Sequence, residues 1–170
     1  MSHFELNQSK YAIANFKGIL HEKLILSKQL NKNEAKKLKL SNTDYEYKSC
    51  VPKHWFCSID IGDWEDVEII VHGNNEKPYK EFIDMAEQIF NQFYIHLSRS
   101  LKYLKKFFPT QEVDGYYLST ITFGQLSNFD DYVLSGFTLA FVYGDYPNAF
   151  QYKVKFKDDE WPIGFEGGPL

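Results

Sequence analysis

The sequence predicts an α+β domain in which a mainly antiparallel sheet packs against one long amphipathic helix. Three observations carry that expectation. In SGFTLAFVYGDYPNAFQYKVKF (residues 135–156), Phe137, Leu139, Phe141 and Tyr143 fall at every second position. Phe150, Tyr152, Val154 and Phe156 repeat the pattern after a glycine-containing turn, which is the period of a half-buried strand pair. Phe82, Ala86, Ile89, Phe90, Phe93, Leu97, Leu101 and Leu104 recur at three- and four-residue intervals, the apolar stripe of a helix. Breaks between the strand-like segments are of hairpin length, which favours antiparallel neighbours.

In chain order, residues 1–44 form an N-terminal segment without a clear assignment, and residues 45–168 form a sheet–helix–sheet core; together they are read as one domain. HWFCSIDI (54–61) alternates Trp55, Cys57, Ile59 and Ile61 against Phe56, Ser58 and Asp60, and VEIIVH (67–72) answers it after the turn GDWED, so a hairpin is expected. GNNEKP (73–78) then opens the helix, with Asn74 or Asn75 as its cap and Pro78 in its first turn. Continuous from Tyr79 to Phe107, that helix would span roughly 43 Å at 1.5 Å per residue, and a bend near Ser98–Ser100 is expected. YYLSTITFG (116–124), the ribbon and its return supply three further strands, and WPIGF (161–165) an edge strand.

At 170 residues with 44% hydrophobic and 25% charged residues, the chain has the composition of a globular domain that needs no metal or disulfide to fold. The return strand sets Gln151, Lys153, Lys155 and Lys157 between its apolar residues. One face of the ribbon is therefore wet and the other is core floor, not a platform for stacking bases. Net charge is −4, with ten lysines against six acids in residues 1–60 and nine basic residues against seventeen acids thereafter. An acidic core excludes a nucleic-acid partner, which would select a basic field. No apolar run reaches membrane-spanning or signal length, so a cytoplasmic protein without a membrane partner is expected. Cys50 and Cys57 are the only cysteines and are expected to be reduced.

Catalytic spacing is missing. His3, His21, His54, His72 and His96 form no close metal-ligand pair, and no phosphate-cradling or nucleophile-elbow motif occurs. The expectation is therefore no catalytic residue, no metal and no cofactor. An alternative is a small enzyme or ligand-binding domain whose site lies near His54 and His72 with Asp60 and Asp66 converging on them. The leading expectation is a surface for another protein, because acidic and aromatic residues meet at three turn-like places: Asp63, Trp64 and Asp66; Asp130 and Asp131 beside Phe129 and Tyr132; and Asp158, Asp159 and Glu160 before Trp161. Aromatics anchor interfaces, and acids steer a partner with a basic surface. The competing expectation for each place is an ordinary turn whose aromatic folds back into the core.

SGFTLAFVY, FQYKVKF and WPIGFEGG, following a long helix, make residues 54–168 resemble small bacterial domains that include immunity proteins of polymorphic or contact-delivered toxins. The resemblance implies a non-catalytic cytoplasmic protein that binds a cognate toxin and blocks its active site. It carries no functional residue over, because such families share no catalytic set.

Overall fold

A computed structural model describes residues 25–26, 53–126, 134–157 and 161–170. Its strands are β1 (Ile25–Leu26), β2 (Lys53–Ile61), β3 (Trp64–Gly73), β4 (Tyr116–Leu126), β5 (Leu134–Tyr143), β6 (Phe150–Lys157) and β7 (Pro162–Pro169). Helices α1 (Lys80–Asn91) and α2 (Phe93–Phe107) fall between β3 and β4, followed by a 3-10 turn at Val113–Gly115. The strands form one sheet in chain order, β1 to β7.

Two features overturn the expected fold class. First, the sheet is mixed. β3 and β4 are parallel, pairing Glu68 with Thr120 and Val71 with Phe123, while the other neighbours are antiparallel. A hairpin can join only antiparallel strands, and the helical connection between β3 and β4 is long enough to carry the chain back to the starting end. Second, the apolar stripe is divided between two helices. Gln92 leaves helical geometry (φ −132°, ψ 39°), and Phe90 and Phe93 pack across the break with ring centroids 5.0 Å apart. A continuous rod of about 43 Å would overrun ten-residue strands of about 33 Å; re-aiming the chain at Gln92 keeps both halves over the sheet. The expected bend at Ser98–Ser100 is absent. Ser100 is buried within α2, its hydroxyl donating to the His96 carbonyl at 2.8 Å.

Packing follows the two periodicities. Cys57, Ile69, Ile121, Leu139 and Val154 stand in one transverse register, and Val71, Phe123, Phe137 and Phe156 in the next. All nine are buried against the α1–α2 stripe. Phe137 and Phe156 stack at 4.5 Å, and the buried His96 ring meets both edge-on. β4 needs a correction to stay in phase, because Tyr116 and Leu118 are buried at even positions and Ile121 and Phe123 at odd ones. A bulge between Leu118 and Thr120 supplies it: one extra residue reverses the alternation, and Ser119 is tied by its hydroxyl to the Ala140 carbonyl at 3.1 Å.

Where α2 ends, side-chain polar groups close the core. Tyr116 donates its hydroxyl to Gln111 Oε1, and Gln111 Nε2 donates to the Tyr152 hydroxyl at 3.0 Å. Burial, followed by the nearby Tyr152 and Tyr143 hydroxyls, pushes Tyr116 up to about 12. It remains a neutral donor across the working pH range.

Candidate functional site

The helices cover one face of the sheet, and the alternation of side chains sends a second set to the other. One transverse row on that second face runs Glu68, Thr120, Ala140, Lys153, Glu166. The next runs Ile70, Thr122, Thr138, Lys155, Gly164. Small residues on β4 and β5 thus form a floor, with larger side chains of β2–β3 on one side and of β6–β7 on the other. The result is a trough of about 450 Å³, within the size range of small-molecule sites.

His54 and His72 stand in register on β2 and β3 and both line this trough. Their rings stack at 4.8 Å with 14° between planes. His72 is buried, and its Nδ1 accepts the Gln125 amide proton at 3.0 Å. The neutral ring therefore carries its own proton on Nε2. Burial first, and the neighbouring His54 second, lower His72 from 6.5 to about 4. Gly124 makes the approach possible, since a Cβ there would lie 2.2 Å from His72 Nδ1. Stacked rings do not converge their lone pairs on one point, and His72 Nδ1 is already engaged. Among the described residues no group of three or more His, Cys, Asp or Glu is placed to hold a metal ion.

Asp60 and Asp66 are not brought to the histidines. They belong to the far end of the β2–β3 hairpin, where Asp60 Oδ1 accepts the Asp66 amide at 3.0 Å and Asp66 has a positive φ of 52°. Asp60 is six residues from His54 along β2, about 20 Å at strand rise. This carboxylate pair shapes a bulged turn.

Of the acidic–aromatic places, the structure describes Asp63, Trp64, Asp66 and Trp161. Asp63 is exposed in the two-residue turn, and Trp64 is half-buried with its ring against the core. Trp161, by contrast, is 63% exposed, and Arg99 of α2 lies 4.3 Å over its ring. β3 and β7 are four strand positions apart, about 19 Å, which separates Trp64 from Trp161 across the sheet. Asp130, Asp131, Asp158, Asp159 and Glu160 lie outside the described residues. On α2 and β7 the structure adds exposed apolar groups that sequence reasoning left out: Ile163 at 54% and Phe107 at 52% exposure, with Phe107, Tyr103 and Phe165 in mutual ring contact. The spacing of Arg99, Tyr103 and Phe107, four residues apart on one helix face, was the available signal. That this face meets β7 was not readable.

Family models, curated proteins and solved structures alike gave no match to this chain. Among the described residues no helix is long and apolar enough to cross a membrane.

Proposed function

We propose that this protein is a non-catalytic protein-binding module, and more narrowly an immunity protein that neutralises a cognate toxin. The observation that carries the binding reading is Trp161, 63% exposed with Arg99 of α2 lying 4.3 Å over its ring. A tryptophan left in water and capped by arginine combines the residue types most enriched at binding hot spots. The narrower reading rests on the resemblance of residues 54–168 to immunity domains. The net charge of −4 favours a partner with a basic surface through long-range steering.

The test pairs the purified chain with the product of the neighbouring gene. A complex that suppresses that product's toxicity is expected, with Trp161→Ala speeding dissociation about tenfold or more while the melting temperature stays unchanged. If the two proteins neither associate nor affect each other's activity, the immunity reading is removed. If they associate but Trp161→Ala leaves dissociation unchanged, Trp161 is not at the interface.

A second reading, a ligand-binding domain, is favoured by one observation: His54 and His72 share a single trough with rows of hydroxyl and amide side chains. Asp60 and Asp66 stand at the far end of the β2–β3 hairpin from the histidines, so this second reading is taken as ligand binding.

A further inference from the structure

Two opposite charges face each other across the trough. Glu68 on β3 and Lys153 on β6 occupy the same transverse row, separated by Thr120 and Ala140. Among the described residues neither forms an ion pair. The other two charged groups of the trough are paired, Lys155 donating to Glu166, and His72 is held neutral by the Gln125 amide and its burial. Two complementary charges are therefore left to a ligand, one at each side.

Their spacing defines what fits. Three strand intervals separate β3 from β6, about 14 Å between backbones, and both residues line the trough. An extended tripeptide measures roughly 10 Å. Thr120 offers a hydroxyl between the two charges and Thr122 and Thr138 offer theirs from the adjoining row, suited to the amide groups of a main chain, while Ala140 leaves the middle of the floor low. A ligand bearing a single charge would satisfy one side and forgo the charge-assisted hydrogen bond at the other.

We propose that the trough binds a short zwitterionic peptide by its two free ends, the ammonium at Glu68 and the carboxylate at Lys153. The proposal rests on the ligand-binding reading of the trough and is independent of Trp161.

The probe is trialanine with both ends free, compared with its N-acetylated and C-amidated forms, titrated into the full chain while the amides of Thr120, Ala140 and Lys153 are followed by NMR. Binding of the free peptide is expected, weakened about ten- to hundredfold by either block. Glu68→Lys should abolish it. The double variant Glu68→Lys with Lys153→Glu should recover it, with the peptide reversed. Melting curves of both variants verify that they remain folded, and recovery in the double variant is not something a merely misfolded single variant would permit. If free and blocked peptides shift the trough amides equally, the trough binds ligands but the two-ended clamp is wrong. If none of the three shifts them, the clamp and the ligand-binding reading both fall. Neither result touches the protein-binding reading.

Discussion

His72 ties the open face to pH. In the unfolded chain its pKa is near 6.5, and in the fold burial and His54 hold it at about 4. Between those values the unfolded state binds the proton first, so stability decreases as pH falls from about 6.5 to about 4 and is fully regained above that window. The difference amounts to about 3 kcal/mol over the whole window. Urea melts at pH 7.5, 6, 5 and 4.5 should show that decline, and His72→Gln should flatten it; an equal slope in the variant would place the acid sensitivity elsewhere. Gly124→Ala acts at the same spot, because its new methyl must displace the His72 ring. A loss of about 1–3 kcal/mol is expected, together with a large shift of the Gln125 amide resonance. At this scale the sequence was only half readable. Strand alternation put Tyr152 and Val154 inside and Lys153 outside, and both hold. The same alternation assigned Lys155 to solvent, yet its side chain is largely covered and paired with Glu166, because β7 lies beside it and periodicity cannot name a neighbour.

Elements record where a local pattern was sufficient and where it was not. The β2–β3 hairpin, the β5–β6 ribbon and the β7 edge strand were legible because each needs only its own alternation and a nearby turn. The break at Gln92 was not legible, since the apolar stripe runs on through it and only the length of the sheet beneath makes two helices better than one. Side-chain truncation separates core from rim within the ribbon. Phe141→Ala and Tyr152→Ala should each cost about 3–5 kcal/mol, whereas Phe150→Ala, at a half-exposed position, should cost distinctly less. Chemical denaturation of the three variants measures the ranking, and equal losses would contradict the burial assigned to this face. β4 offers a sharper case. Deleting Ser119 removes the extra residue that reverses the alternation, so either Tyr116 and Leu118 or Ile121 and Phe123 must turn to the wet face. Loss of cooperative unfolding is the expected result, against a modest change for Ser119→Ala, which keeps the residue count and gives up one hydroxyl contact.

For the whole molecule, the expected fold class, a mainly antiparallel sheet against one long helix, gives way to a mixed sheet with two helices. The candidate site was less legible still. Of the residues proposed as a contact surface, Trp161 stands exposed and Trp64 packs against the core, and the trough with Glu68 and Lys153 was not foreseen because it depends on strand order across four strands. Strand order in turn has a mechanical consequence. Every strand lies beside its sequence neighbour, and from β2 onward each adjacent pair but β3–β4 is separated by only a few residues of sequence. The exception is the parallel contact of Glu68–Val71 with Thr120–Phe123, which joins β1–β3 to the β4–β7 meander. That seam is the line along which the protein should come apart and go back together. Cleaving the exposed backbone at Pro109–Thr110 would give two pieces, one ending in the helices and the other beginning with β4. Each retains its own antiparallel ladders, and the pieces should reassemble on mixing through one shared row of hydrogen bonds and the helix–sheet core, making this chain a natural split reporter.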